Sequence, residues 1–552
     1  MAILADIQQK ARDSLAAAAA AALPDVPLPG VGVQRPREEA HGDLASNLAM
    51  AMAASARRPP RQVAEAIVAQ LPAAAEAAGL PLHRAEVAGP GFINLFLRPG
   101  WLLPVLAEVT AAQGAYARSE AGGGRRVLVE FVSANPTGPL NVVNCRAAAF
   151  GDALVRCLNA AGWRAESEYY VNDAGGQFRR LGESLRARAI ELRGGELALP
   201  EGGYPGEYLI PLAEAFLAAH PVDAPVQAYA RFAVERILAQ QKESLARFGV
   251  VFDHFTHESA IRADGGPERV VAALAAAGHT FERDGAVWLR STAFGDNDDR
   301  VLVKRDGEFT YRVPDIAYHA GKLGRGYDVL IDVLGQDHHG DVASVRAGLA
   351  GLGLPVERLE VLLNQLVRLV RGGETVRMSK RGGNFISMDE FLDEVGTDAA
   401  RFFFLMRTID THMDFDIDLA TRQASENPVY YVQYAHARIC SLLRQAAEAG
   451  LVAPPPAALA PDALRHPAEA ALMLAMAELP EEVRAAAESR APHRMTTYAR
   501  VLAERFHNFY VQCRVIGEAA PVAASRLLLA DAARATLAET LGLLGVSAPE
   551  RM

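Results

Sequence analysis

The chain has 552 residues, half of them hydrophobic, enough for roughly three to four domains with substantial cores. A net charge of −10 excludes a global attraction for polyanions, so any nucleic-acid contact must use local basic patches. No apolar run is long enough to span a membrane, and Cys145, Cys157, Cys440 and Cys513 include no CxxC pair, so neither zinc nor a disulfide framework is expected, which fits a reducing cytoplasm.

Residues 1–118 read as a small α+β domain. Helical patterns cover Ala2 to Leu23, His41 to Ser55 and Pro60 to Gln70, and Ala85 to Leu97 reads as a strand pair around Gly89-Pro90-Gly91. The alanine-rich run Leu15 to Leu23 is preceded by Asp6 and Asp13 as well as Lys10 and Arg12, so no secretory signal is expected. Ala121-Gly122-Gly123-Gly124-Arg125-Arg126 reads as a linker.

Val127 to Val132 is apolar enough for a strand buried on both faces, as in a parallel sheet. Asn135-Pro136-Thr137-Gly138-Pro139 cannot continue a regular element. A helix follows, with Ala147, Ala148, Phe150, Leu154, Val155 and Leu158 as its apolar side and Gly162 as its stop. Strand, Pro/Gly turn and helix make a phosphate-binding construction, because unpaired N–H groups at a helix start face an anion. Glu130, a carboxylate at the top of a buried strand, needs a cationic partner. A structural ion pair or a ligand can supply it, and the adjoining loop favours the ligand.

A second parallel strand, Glu166 to Val171, ends in polar and glycine residues, where doubly wound sheets place ligands. Residues 178–300 read as a largely helical insertion, with helices at Phe178 to Arg193, Tyr208 to His220 and Ala228 to Phe248. Pro314 holds Val313 extended, so a strand-to-helix corner is expected with Tyr311 and Asp315 on either side. Asp328 to Leu334 is a further strand and runs into Gly335-Gln336-Asp337-His338-His339-Gly340. Adjacent histidines point apart on extended chain, so joint metal ligation is not expected. Leu362 to Val370 reads as one strand leading to Val376-Arg377-Met378-Ser379-Lys380-Arg381-Gly382-Gly383-Asn384, a basic, glycine-flanked loop suited to neutralising phosphate. Lys380 draws notice because only five lysines occur among 56 basic residues. After a connector at 385–424, the C-terminal part is helical apart from a proline-rich loop at Pro454 to Pro461. Tyr430, Tyr431, Tyr434, His436 and Arg438 mix aromatic and basic groups on its first helix, a pattern that packing between helices explains more often than base stacking.

Glu130-Phe131-Val132-Ser133-Ala134-Asn135-Pro136-Thr137-Gly138-Pro139-Leu140, leading into a helix, resembles the first signature of class I arginyl-tRNA synthetases. Met378-Ser379-Lys380 after Arg377 resembles the second, usually Lys-Met-Ser-Lys. Residues 41–50, 87–97, 393–407, 506–510 and 544–552 also resemble that family, in order. The resemblance implies a multidomain α/β protein. Its parts would be a doubly wound, Rossmann-like class I catalytic domain at 125–424, an N-terminal α+β domain at 1–118 that contacts the tRNA elbow, and an all-α helical bundle at 425–552 for the anticodon. It implies ATP-dependent activation of arginine to arginyl-adenylate and transfer to tRNA(Arg), with Mg2+ accompanying ATP, in a cytoplasmic monomer.

The family's arginine pocket carries over onto Glu130 and Asp315 as acidic positions, Tyr311 and Gln336 as a polar wall, and Asn135 at the α-amino end. Its nucleotide site falls on Pro136, Thr137, Gly138, Pro139, Leu140, Val143, Gly335, Asp337, Met378 and Ser379. Its catalytic groups fall on Asn141, Asn144, Arg377 and Lys380. After Leu140 the family usually reads His-x-Gly-His, where this chain has Asn141-Val142-Val143-Asn144. Asparagine amides donate as histidines do but cannot become cationic. Val143 adds a branched side chain where glycine lets the adenine approach the backbone. Two other readings stay open: a non-catalytic paralogue that binds tRNA or arginine, and an adenylate-forming transferase with a non-tRNA acceptor.

Overall fold

A computed structural model describes residues 3–36, 38–336, 339–376, 386–460 and 462–552, without the side chains of Glu39 and His339. Its centre is a five-stranded parallel sheet. Strands β1 (Arg126–Glu130), β2 (Arg164–Val171), β3 (His254–His257), β4 (Val329–Gly335) and β5 (Leu359–Asn364) stand in the order β5-β4-β1-β2-β3. The chain runs outward from β1 to β3, then returns to add β4 and β5 on the other side. The switch point therefore lies between β1 and β4, beyond their carboxyl ends, where such sheets bind ligands. Val127, Leu128, Val129, Leu330 and Ile331 are fully buried, which is why both central strands read as apolar runs. Helix α1 (Val142–Ala160) follows the loop after β1. It carries Gly151 against Phe131, where an added Cβ would lie 2.1 Å from the ring.

Tertiary contacts alter several local expectations. The glycine-rich stretch is docked rather than a linker: Gly122 N donates to Ala161 O at 2.7 Å and Gly124 N to Gly162 O at 2.9 Å. A Cβ on Gly122 would lie 2.5 Å from Trp163. The helix expected over 41–55 is divided into a short turn, a strand Leu44–Ser46 and a helix Leu48–Ala56, because Leu44, Ala45 and Ser46 pair with Leu95, Asn94 and Ile93. The helix from Pro60 continues through Pro72 to Ala77, its buried stripe of Val63, Ile67, Leu71 and Ala75 held in register beyond the proline.

The single strand expected over 362–370 is two. β5 stops at Asn364, and Val367–Arg371 pairs with Met413–Asp416 in another sheet. The break falls at Gln365, whose N–H is taken by Ile409 O and whose carbonyl is taken by Arg146. The insertion is helical through Gly175–Leu192, Leu209–Leu217 and α2 (Val226–Arg247). Beyond α2 the segment mixes both kinds of element: β3 joins the main sheet, helices Glu258–Ala263 and Gly266–Ala276 follow, and Thr280–Arg283, Ala286–Leu289 and Arg300–Val303 form an antiparallel sheet. Helix α3 (Arg312–Gly324) already includes Val313 and Pro314. A proline in the first turn loses no intrahelical hydrogen bond, so the expected corner lies before Arg312.

The ends of the chain share one continuous core with the sheet, running from Ile3 to Val546. Past residues 377–385 come α4 (Met388–Val395) and α5 (Thr397–Phe404), and the last helix is α6 (Ala520–Leu544). Arg401 on α5 ties these parts together. Fully buried, it donates to Leu544 O at 2.9 Å and Phe248 O at 3.0 Å and pairs with Asp152 of α1. Removing one member of a buried charge network leaves the others uncompensated. Arg401→Met is therefore expected to lower stability by about 3 kcal/mol or more, read as a shift in the urea midpoint, and an unchanged midpoint would contradict this role.

Candidate active site

The strand register places three carboxylates side by side. Asp332 of β4 is aligned with Glu130 of β1, and Glu130 with Glu168 of β2. All three are at most 5% exposed. Three ionised carboxylates in one buried row repel one another unless cations intervene, and α3 and its end supply them. Lys322 Nζ lies 2.7 Å from Glu130 and 2.5 Å from Asp332, and Arg325 pairs with Glu168. The Tyr318 hydroxyl lies between Glu130 and Glu168, at 2.8 and 2.9 Å. His319 places Nδ1 2.7 Å from Asp315 O and Nε2 2.7 Å from Asp332. Both partners are acceptors, so both ring nitrogens carry protons and the ring is an imidazolium. Burial and Lys322 oppose that protonation, but the charge and hydrogen bond of Asp332 outweigh them and raise the His319 pKa. Glu130, His319 and Asp332 have a metal-like spacing, yet the Lys322 ammonium already bridges two of them.

Glu130 thus has a structural partner within the chain, and the expectation that a ligand supplies its countercharge is corrected: the partner is Lys322. Ser133 also donates to Glu130 at 2.8 Å. The acid left over is Asp315, on the first turn of α3. Among the described residues its carboxylate has no hydrogen-bond or ion-pair partner. Burial raises its pKa to about 6; His319 opposes the shift, and Glu258, Glu130 and Asp341 add to it. Tyr311 stands one turn before Asp315, half-exposed, and donates to Asp341 at 2.6 Å. Gln336 and Asn135 are exposed at the ends of β4 and of the loop after β1. The hydroxyl of Tyr170 is buried with no hydrogen-bond partner. Glu258 and Asp315 lie near enough to raise its pKa further after burial, but neither is placed to accept a geometric hydrogen bond.

The loop from Val132 to Leu140 crosses the carboxyl end of β1. Val132 and Ser133 take positive φ angles of 67° and 39°, uncommon for any side-chain-bearing residue and costly for a β-branched one. Ser133 is held there by its bond to Glu130 and by the Tyr170 N–H, which donates to Ser133 Oγ at 3.1 Å. Asn141 and Asn144 do not simply share a helix face: Asn141 caps α1. Its Oδ1 accepts from Val143 N at 3.0 Å, while Asn144 Oδ1 accepts from Asn141 N at 3.0 Å. This reciprocal capping uses both side-chain oxygens and leaves both amide NH2 groups without protein partners among the described residues. Val143 is half-buried in the first turn. Pro136 and Leu140 are buried, and Thr137, Gly138, Pro139 and Gly335 are partly so. Asp337, Arg377, Met378, Ser379 and Lys380 lie outside the described residues. The flank that follows residues 377–385 is nevertheless joined to the first loop: Asn141 bridges Ser387, and Met388 N donates to Leu140 O at 2.8 Å.

Sequence reasoning brought Asp315, Tyr311, Asn135 and Gln336 to one end of the sheet but passed over Lys322, Tyr170 and Gln241. Lys322 had a signal: it is another of the five lysines, one turn beyond Tyr318 on the same helix. Gln241 had none, because nothing in a helical repeat marks which polar residue faces a distant loop.

A doubly wound sheet with a Pro/Gly loop at its switch point, a part-buried acid without a partner among the described residues and a terminal helical bundle are the architecture of a class I aminoacyl-tRNA synthetase. The comparisons specify the kind. Residues 6–97 match the arginyl tRNA synthetase N terminal domain, and residues 432–552 the DALR anticodon binding domain. The arginine–tRNA ligase of Symbiobacterium thermophilum is 47% identical, over 100% of this chain and 99% of its own. That of Desulforudis audaxviator is 45% identical over 100% of both. The solved arginyl-tRNA synthetase of Thermus thermophilus superposes with a TM-score of 0.71 at 27% identity, covering 98% of this chain and 100% of its own. The chain belongs to the arginine–tRNA ligase family, enzymes that use ATP, arginine and tRNA(Arg).

The raised pKa of Asp315 has a consequence for binding. A cation pairs with the ionised carboxylate, so binding must expel the proton that Asp315 holds below about pH 6. Arginine affinity is expected to weaken as pH falls through that value, by roughly tenfold between pH 7 and 5 for one linked proton. Calorimetry across that range checks it, and Asp315→Asn should flatten the profile.

Proposed function

We propose that arginine is bound over the carboxylate row with its guanidinium against Asp315, and that the loop 135–143 takes the ATP. The observation that carries this is the charge count. Glu130 and Asp332 are balanced by Lys322 and His319, and Glu168 by Arg325, which leaves Asp315 as the uncompensated negative group of this cluster among the described residues. A guanidinium restores neutrality and offers planar donors to a carboxylate. Glu130 then acts with Lys322 to define the floor of the pocket, Tyr311 and Gln336 form its wall, and Asn135 meets the α-amino end. Attack by the arginine carboxylate on the α-phosphorus needs no enzymic nucleophile, so the protein contributes positioning and charge neutralisation.

Around the nucleotide, Asn141 and Asn144 donate through the NH2 groups that their capping leaves open, and the start of α1 adds backbone N–H groups. Val143 packs beneath the adenine. Pro136, Thr137, Gly138, Pro139, Leu140 and Gly335 shape the rest of this site, with Asp337, Met378 and Ser379. Arg377 and Lys380 supply the cationic charge that neutral asparagines cannot. Mg2+ arrives on the phosphates of ATP: the carboxylate cluster beneath does not fit it, because the Lys322 ammonium holds that position. No zinc is assigned. Residues 1–118 serve the tRNA elbow, 125–424 the chemistry and 425–552 the anticodon, in a cytoplasmic monomer.

The test is pyrophosphate exchange with arginine, ATP and tRNA. Citrulline, whose neutral ureido group would leave Asp315 unpaired, is expected to be rejected by roughly 10⁴-fold; comparable charging would exclude this pocket. Asn141→Ala and Asn144→Ala should each slow activation by about 1.5–3 kcal/mol for a lost bond to a charged group. Each should also lower stability by about 1 kcal/mol as the helix cap is lost. Exchange rates unaltered in both variants would remove the asparagines from the site.

A further inference from the structure

The loop proposed for the nucleotide is gripped from behind by the insertion. Gln241 of α2 is 1% exposed, and its Nε2 donates to Asn135 O at 3.2 Å and Gly138 O at 2.8 Å. The Tyr169 hydroxyl shares its proton between Ala134 O at 2.8 Å and Gln241 Oε1 at 3.1 Å. The Tyr208 hydroxyl, just before the helix Leu209–Leu217, donates to Thr137 O at 2.5 Å. Gly138 admits that ring: a Cβ there would stand 3.3 Å from Tyr208 Cζ. The carbonyls of Ala134, Asn135, Thr137 and Gly138 are therefore all drawn toward the same three side chains.

A trans peptide is planar, with its N–H opposite its carbonyl. Turning the Ala134 and Thr137 carbonyls backward turns the N–H groups of Asn135 and Gly138 forward, and neither has a partner among the described residues. The two peptides held by Gln241 end in Pro136 and Pro139, which have no N–H to present. Tyrosine-held carbonyls thus alternate with glutamine-held ones, and forward N–H donors alternate with proline rings. A loop packed only for stability would need no such alternation; one that presents two donors to an anion does.

The same helix also reaches α4. Three residues beyond Gln241, Ser244 Oγ donates to Asp389 at 2.6 Å, and Arg247 pairs with Asp389 and Asp393. Both carboxylates belong to α4, which begins just after residues 377–385.

We propose that the insertion, through α2 and Tyr208, is a strut that holds the loop 135–143 in place relative to α4, and that Gln241 and Tyr208 are positioning residues for ATP-dependent activation. The inference rests on the assignment of the loop 135–143 to the nucleotide. Gln241→Glu keeps the side-chain volume but replaces the donor with an acceptor facing two carbonyls. Tyr208→Phe removes one hydroxyl and adds nothing.

Two measurements test the proposal on the full chain. In pyrophosphate exchange with tRNA, Gln241→Glu should lower kcat by about 10²-fold, the scale of a misplacement of roughly 1 Å, with the KM for arginine changed less than about threefold. Tyr208→Phe should lower kcat by about tenfold with the same split. Amide hydrogen exchange of the segment 133–140 without substrates should show lost protection in both variants. If Gln241→Glu does not fold, Tyr208→Phe decides alone. Unchanged protection, or kcat within twofold of the parent in a folded variant, overturns the strut. Lost protection in the variants, with a parent chain that performs no exchange reaction, would support the clamp while removing the ligase reading of the loop.

Discussion

The constraint on which the site depends is the burial of Lys322 between Glu130 and Asp332. Parallel pairing brings Asp332, Glu130 and Glu168 into one row, and such a row is unstable in a dry interior without countercharge. Lys322 sits 1% exposed between two of these acids and its pKa is driven well above the usual lysine range: burial pulls it down, and the two carboxylates more than offset that. Asp332 is held well below the usual carboxylate range: burial raises it, and Lys322 and His319 outweigh the burial. The consequence reaches beyond the pair. With Glu130 and Asp332 neutralised from within, the acid of this cluster left unbalanced among the described residues is Asp315, one turn before His319 on the same face of α3. The sheet supplies the acids, one helix supplies most of the compensation, and the remainder is available to a ligand.

The loop above this floor is strained at Val132 and Ser133 and held on every side. Ser133 ties it to the carboxylate row, Gln241 and Tyr208 tie it to the insertion, and Asn141 and Leu140 tie it to Ser387 and Met388. Strain of this kind persists only where surroundings over-determine the backbone. The insertion is thus continuous with the site mechanically, although it interrupts the sheet in sequence. Arg401 extends the same continuity to the last helix, so the ends of the chain are packed onto the sheet rather than tethered to it.

The altered first signature becomes intelligible through capping. Asn141 and Asn144 satisfy the start of α1 with their oxygens, and an asparagine is well suited to this because it carries acceptor and donors on one head group. What a pair of neutral amides cannot provide is positive charge. The sequence places Arg377 and Lys380 in the second loop, and the helix start offers backbone donors. The proposed division is between neutral, geometrically fixed donors in the first loop and the positive charge of Arg377 and Lys380.

Much was legible in the chain alone. The buried strands around Val127 and Leu330 declared themselves because parallel strands covered on both faces must be apolar throughout. The Pro/Gly turn and the helix after it declared a loop and a helix start because no regular element tolerates those residues. Asp315 and Tyr311 could be named only through the resemblance to the family's arginine pocket. What required the tertiary structure was every question of partnership. A sequence shows that Glu130 needs a cation but not that Lys322, 192 residues away, supplies it, because that depends on which strands are neighbours. It shows a glycine run at 122–124 but not that Gly122 lies against Trp163, and so cannot distinguish a linker from a docked edge. It places Gln241 in a helix but not that the helix points it at Gly138. Local pattern is set by the solvent boundary each residue meets; pairing of charges and donors is set by register and crossover, which only the folded chain decides.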